Sequence, residues 1–210
     1  MTQFRELPVF RYVEEVASPN PTPGGGSVAA LCGALGAALS AMVAGITLKR
    51  EKFKDAWNSM EKVKGEAEEL SEIFLRLAED DSKAYLRVLA AYGLPKGTEA
   101  EKAARQANLQ EAFKKAAEVP LQTLRVVERL MRGVEKTIKE GNPNALNDAG
   151  AAAYIARAAG IIALQNIRTN LFNIRDASFV REYEEETREL MENIDGLFSR
   201  ADAMVRERLP

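Results

Sequence analysis

The chain contains no histidine, and that absence limits the chemistry open to it. Ser-His-Asp and Cys-His nucleophilic catalysis are excluded, as is zinc held by imidazole. Proton transfer must fall to Asp, Glu, Lys, Tyr or water. Two stretches concentrate groups suited to binding and proton transfer. The first is PNPTPGGGS, residues 19–27. Prolines on alternate positions forbid helix, three glycines leave the backbone bare, and Ser27 is a good N-cap for the apolar run after it. Free N–H groups and the positive end of a helix dipole would make Gly24, Gly25, Gly26 and Ser27 an anion-binding turn. Read more plainly, it is a tight loop packed on a neighbour.

The second stretch runs from GNPNALNDAG, residues 141–150, into an apolar helix ending near residue 174. Asp148 and Asn166 lie about five helical turns apart on one face, and Asn144 and Asn170 fall about 40° to either side. Four amide or carboxylate groups thus form a stripe on a helix otherwise built of Ala, Ile and Leu. Buried unsatisfied, such a stripe is costly, so it faces partners, a ligand or a cleft. A straight helix separates its two ends by roughly 27 Å, too far for one small reacting centre. Either Gly160 bends the helix, or the ends serve different parts of a long ligand or different sites in an oligomer.

The elements that must position these groups read as helix after helix. Residues 7–16 form a short amphipathic segment with Val9, Phe10, Val13 and Val16 at helical spacing. The run from Val28 to Leu48 is long enough to span a bilayer. Its Ala/Gly composition and lack of an aromatic belt argue instead for a fully buried central helix. Gly33, Ala37, Ala41 and Gly45 recur every fourth residue, a row that lets helices approach backbone to backbone. Cys32, inside that run, reads as a small buried hydrophobe. Residues 53–91 carry Val63, Leu70, Phe74, Leu77, Tyr85 and Leu89 on one broad face, with Gly93 and Pro95 ending the helix. A Thr98/Glu101 capping box opens the next, which Pro120 is expected to kink or divide. Gly141, Asn142 and Pro143 read as C-cap, N-cap and first turn. From about residue 176, Val180, Tyr183, Thr187, Leu190, Ile194, Leu197, Ala201 and Met204 form a heptad-like seam. The expected fold is all-α: one domain over residues 1–210, a bundle of long antiparallel helices around the Ala/Gly-rich helix, with no sheet.

Composition suits a globular domain: 46% hydrophobic and 29% charged residues across 210 positions. A net charge of -2 gives no electrostatic case for nucleic acid or an anionic membrane. A single cysteine excludes a disulfide framework. The first residues, MTQFREL, lack the apolar core of a signal peptide, so the expected location is cytoplasmic.

PTPGGGSVAALCGALGAALSAMVAG, residues 21–45, resembles the opening signature of the formiminotetrahydrofolate cyclodeaminase / methenyltetrahydrofolate cyclohydrolase family. Further matches come in the family's order. They are the basic patch ending Lys52-Phe53, Asp81 to Tyr85 (DSKAY) with Leu94-Pro95-Lys96, Glu118 to Leu121 (EVPL), GNPNALND ending at Asp148, and Asn166 to Leu171 (NIRTNL). Lys49-Arg50-Glu51-Lys52-Phe53 stands where the family often carries Gly-Lys-Lys-Lys-Tyr. No formiminotransferase domain, fused in front in some relatives, is present in this chain.

The resemblance implies an all-helical homodimer acting on the one-carbon bridge of a tetrahydrofolate derivative, with no metal and no redox cofactor. The cyclodeaminase converts 5-formiminotetrahydrofolate to 5,10-methenyltetrahydrofolate and ammonia; the cyclohydrolase interconverts 5,10-methenyl- and 10-formyltetrahydrofolate. Both pass through a tetrahedral adduct between N5 and N10 and need a proton shuttle, anionic groups near a cationic carbon, and cations for the glutamate tail. Asp81 and Asp148 are the candidates for proton transfer, and Lys52 for proton donation or carboxylate binding. The loop Pro23, Gly24, Gly25, Gly26 and Ser27, with Asn144, Asn166 and Asn170, is the candidate substrate-binding set, since amides both donate and accept at a pterin edge. Asp80 reads as a solvated carboxylate on the helix surface. A non-catalytic folate binder or a helical dimerisation module is the alternative of another class, and the latter leaves the polar stripe and the bare glycine loop unexplained.

Overall fold

The computed structural model describes residues 4–209, and every regular element among them is helical. Six α-helices occur in order: α1 Val9–Ala17, α2 Gly25–Leu48, α3 Trp57–Tyr92, α4 Glu99–Glu140, α5 Leu146–Leu171 and α6 Ala177–Arg208. Short 3-10 turns at Phe4–Glu6, Glu51–Ala56 and Pro143–Ala145 accompany them.

Local chemistry sets most boundaries. The Thr98 hydroxyl accepts from the Glu101 N–H at 3.2 Å while the Glu101 carboxylate accepts from the Thr98 N–H at 2.8 Å, the reciprocal cap read from the sequence. The Asn142 side chain accepts from the Asn144 N–H with Pro143 beside it. Asp176 caps α6 through the Ser178 and Phe179 N–H groups. Two boundaries differ from expectation. The central helix starts at Gly25 with Gly24 as its N-cap, three residues ahead of the expected cap Ser27, whose hydroxyl instead meets that of Tyr12. Pro120 does not divide α4, which runs unbroken from Glu99 to Glu140 with Pro120 buried inside it.

α2 runs antiparallel to α3 and to α5, while α4 and α6 run parallel, with Arg125 at Glu186 and Glu135 at Arg200. Small residues set the separation along α2. Along α2 and α3 the contacts descend from Gly26 over Asp81 to Gly33 against the Phe74 ring. Along α2 and α5 they run from Gly25 beside Asn166, through Gly36 only 3.3 Å (as an added Cβ) from the Ala152 carbonyl, to the Asn142 N–H donating to the Thr47 hydroxyl at 2.8 Å. Backbone-to-backbone approach is therefore present at Gly36, whereas the small residue at Gly33 instead makes room for the Phe74 ring. The α6 seam packs inward, with Ile194, Leu197 and Ala201 buried, and Arg125 forks onto Glu186 at 2.5 and 2.7 Å to tie α4 to α6.

Two faces depart from the sequence expectation. The central helix is enclosed by α3, α4 and α5, yet its remaining side is open, with Leu35 52% and Met42 40% exposed. In α1 the apolar stripe points outward: Val9, Phe10 and Val13 are exposed and only Tyr12 is buried. Amphipathicity located that stripe but not its direction, because Tyr12, on the other side, is anchored to Ser27.

Candidate active site

The Pro21–Gly24 approach turns into α2 at Gly25, and the first turn of α2 lies against the carboxyl group of Asp81 on α3. A Cβ added at Gly26 would fall 2.7 Å from Asp81 Oδ2 and closer still to Oδ1 and Cγ. Glycine is required here by close approach, not by φ, since no glycine among the described residues has positive φ. The Ser27 N–H points to the Asp81 carboxylate and favours its ionised form, but burial outweighs it and pushes the carboxyl up to about 6. The Ser27 hydroxyl is 2.9 Å from the Tyr12 hydroxyl, whose own ionisation is disfavoured by burial and by the nearby Asp81 charge. Asp80, one residue away, turns outward and pairs with Lys83 at 3.0 Å.

Asn166 and Asn170 reach the same place from α5. Asn166 Nδ2 donates to the Ile162 carbonyl at 2.9 Å, and Asn170 Nδ2 donates to the carbonyls of Asn166 at 2.9 Å and Ala116 at 3.2 Å. Backbone carbonyls only accept, so both amide nitrogens are fixed and each Oδ1 remains an acceptor without a partner among the described residues. The Ala116 carbonyl is available because Pro120, four residues on, has no N–H to give it. The proline in α4 and the asparagine in α5 thus satisfy one another, and this is why the helix survives its proline.

These groups border a cavity of about 270 Å³, walled by Tyr85, Val88, Phe113 and Ala116 and edged by Thr22, Gly24, Gly25, Gly26, Asp81, Asn166, Thr169 and Asn170. A carboxyl that titrates near neutrality, bare backbone and two acceptor amides face an apolar wall, which suits proton transfer to a flat, nitrogen-rich ligand. Among the described residues no three acidic or cysteine side chains come together as a metal site would require.

The remaining sequence candidates lie elsewhere. Pro23 is buried, and Ser27, also buried, meets Tyr12; neither lines the cavity. Lys52 is exposed in the turn beyond the far end of α2, its ammonium 4.7 Å from the Phe53 ring centroid. Asn144 is exposed and Asp148 half-buried at the start of α5, also at that far end. Gly160 does not break α5, which is continuous from Leu146 to Leu171; it packs against Val127, Ile194 and Leu124. The polar stripe is therefore divided between two ends of the bundle. Sequence reasoning missed Tyr85, Phe113 and Thr169 in the cavity wall. Tyr85 and Thr169 were within reach, lying one turn from Asp81 and Asn166; Phe113 carries no local signal.

The fold is a helical bundle whose cavity is bordered by a carboxylate and two amide groups. The chain belongs to the formiminotransferase-cyclodeaminase family, whose model matches residues 8–189. It is 36% identical over 193 residues to a methenyltetrahydrofolate cyclohydrolase of Methylorubrum extorquens, covering 92% of this chain and 89% of that one. It is 33% identical over 168 residues to the formimidoyltransferase-cyclodeaminase of Rattus norvegicus, covering 80% of this chain but 31% of that longer protein. The crystal structure of a formiminotetrahydrofolate cyclodeaminase from Thermotoga maritima superposes with a TM-score of 0.89 at 32% identity, over 97% of this chain and 98% of that one.

Proposed function

We propose that this chain is an enzyme of folate one-carbon metabolism that converts 5-formiminotetrahydrofolate to 5,10-methenyltetrahydrofolate with release of ammonia. The observation that carries the reading is Asp81, held against the first turn of α2 with its carboxyl pushed up to about 6. In the reaction, N10 attacks the formimino carbon and its proton passes to the imino nitrogen, giving a tetrahedral adduct with an amino group attached. The amino group takes a proton and leaves as ammonia, and the C=N bond of the methenyl bridge forms. Protonated Asp81 is the donor, and its carboxylate then faces the cationic product. Asn166 and Asn170 accept from pterin N–H groups, and the aromatic wall of Tyr85 and Phe113 takes the ring face. The chemistry calls for neither metal nor redox cofactor. The enzyme acts as a homodimer in the cytoplasm, with no nucleic-acid or membrane partner.

A second reading, methenyltetrahydrofolate cyclohydrolase, is supported by the Methylorubrum extorquens relative, which this chain matches along nearly its whole length. There Asp81 acts as base toward the attacking water. Both reactions are followed by methenyltetrahydrofolate absorbance with purified protein. Absorbance rising from 5-formiminotetrahydrofolate with ammonia release supports the deaminase. Absorbance falling from methenyltetrahydrofolate faster than in buffer, with no rise in the first assay, supports the cyclohydrolase. Silence in both with folate still bound leaves a non-catalytic binder and refutes the proposal.

A further inference from the structure

We propose that Tyr12 of α1 is a positioning residue for Asp81: its ring closes the rear of the seat that holds the carboxyl group, so that water reaches Asp81 only from the cavity. The role in catalysis rests on the reading of Asp81 as the proton carrier; the seal itself can be measured without turnover.

The setting of α1 is the first observation. Val9, Phe10 and Val13 face solvent, and Tyr12 is the one buried residue of the helix. Turning the stripe inward would remove more apolar surface from water than burying one tyrosine does, so the Tyr12 contacts fix the observed rotation. Two contacts hold the side chain. Its hydroxyl is 2.9 Å from the Ser27 hydroxyl, and the Phe4 ring meets its ring edge-on at 5.6 Å between centroids. The segment ahead of α1 is fastened to α3, with the Phe4 N–H donating to the Glu79 carboxylate and Arg5 pairing with Glu72 at 3.1 Å.

Ser27 links this tyrosine to Asp81. It is the third residue of α2, and its N–H belongs to the first helical turn, where such groups lack a partner within the helix. The N-cap is Gly24, which has no side chain to accept from it. Asp81 accepts instead, from the neighbouring helix. One serine therefore offers its N–H to Asp81 and its hydroxyl to Tyr12. The two are close enough that the Asp81 charge disfavours ionisation of the phenol. Asp81 borders the cavity and Tyr12 does not, so the tyrosine covers the side of the seat turned away from the cavity.

No charge nearby does the work that this cover does. The ionisable groups around the seat are the Cys32 thiol on α2 and Glu79, Asp80 and Tyr85 on α3. Glu79 is engaged by the Phe4 N–H and Asp80 by Lys83 at 3.0 Å, and burial pushes the Cys32 thiol up, away from its charged form. α4 and α5 bring no ionisable side chain to the cavity lining. Desolvation alone opposes the Ser27 N–H and holds the carboxyl near neutrality, and desolvation requires the rear of the seat to be closed.

Direct titration of Asp81 tests the seal. Protein labelled with carbon-13 at the aspartate carboxyl carbon is followed by NMR across the acid and neutral range, the Asp81 signal being the one that Asp81→Asn removes. Wild type should titrate near 6. Tyr12→Ala opens the rear to water, and the midpoint should fall by about one unit or more, toward the ~3.9 of a free aspartate. Tyr12→Phe keeps the ring and should keep the wild-type midpoint. Tyr12→Leu, which fills part of the space, should fall between them and stands in if Tyr12→Ala does not fold. Phe10→Ser, on the outward face of α1, controls for damage to the helix and should shift nothing. The inflection in kcat/KM should follow the NMR midpoint in every variant. An unchanged midpoint in Tyr12→Ala overturns the proposal, as does a shift of the same size in Phe10→Ser. Equal drops in Tyr12→Phe and Tyr12→Ala assign the effect to the hydroxyl and overturn the seal by the ring. Midpoints that move as stated in a protein silent in both folate assays refute the folate reading alone.

Discussion

Gly26→Ala isolates the contact that seats Asp81 against α2. The new Cβ would stand 2.7 Å from Asp81 Oδ2 and nearer to Oδ1 and Cγ, whereas an unstrained contact needs roughly 3.4 Å or more. The carboxyl group must retreat by about 1 Å, and it loses its seat under the Ser27 N–H. Misplacement of a reacting group by about 1 Å costs on the order of 10²-fold in rate. Alanine in the first turn of α2 also favours helix by up to about 1 kcal/mol, so the fold itself should not suffer in proportion. The expected result is a turnover loss near 10²-fold at a melting temperature within a few degrees of wild type. Gly65→Ala is the control: it lies exposed within α3 with nothing near its added Cβ, and should raise stability by about 0.8–1 kcal/mol without changing turnover. A Gly26→Ala enzyme at the wild-type rate would refute the close seating of Asp81 as a catalytic requirement.

Other perturbations separate stability from chemistry. Because the folded carboxyl of Asp81 sits near 6 and an unfolded one near 3.8, the fold holds this proton longer, and its contribution to stability declines as pH rises from about 4 through 6. Asp81→Asn should therefore melt higher than wild type at pH 7.5, with the gain vanishing below about pH 4; an unchanged or lowered melting point at pH 7.5 counts against a desolvated carboxylate. Asn170→Ala leaves the Ala116 carbonyl unpaired and should cost about 1–3 kcal/mol in denaturant unfolding. Adding Pro120→Ala restores an N–H for that carbonyl and should recover part of the loss, a coupling that a double-mutant cycle reads directly. Gly33→Ala drives a methyl into the Phe74 ring and should destabilise by about 1–3 kcal/mol as an overpacked core does.

Features decided by short-range chemistry were legible in the sequence. The Thr98–Glu101 box and the Asn142–Pro143 start are visible within a few residues of chain, and each appears in the structure. The direction in which α1 presents its apolar stripe was not, because periodicity fixes a stripe and only a neighbour fixes its orientation. The survival of α4 through Pro120 depends on Asn170, fifty residues away in sequence, which no local reading of a proline includes. Asp81 stands apart from Asp80 only because Gly26 leaves room for it, and Phe113 enters the cavity wall through the packing of α4 on α3. The asparagine stripe was found correctly as a pattern, but its two ends proved to belong to opposite ends of the bundle.

The central claim is that Asp81 moves the proton in the one-carbon step, and the pH dependence of kcat/KM on 5-formiminotetrahydrofolate tests it most directly. Wild type should show an inflection near pH 6, set by the Asp81 carboxyl, and Asp81→Asn should lose both most of the rate and that inflection. An Asp81→Asn enzyme with near-normal rates and the same profile would contradict the assignment and send the search for the proton carrier elsewhere in the cavity.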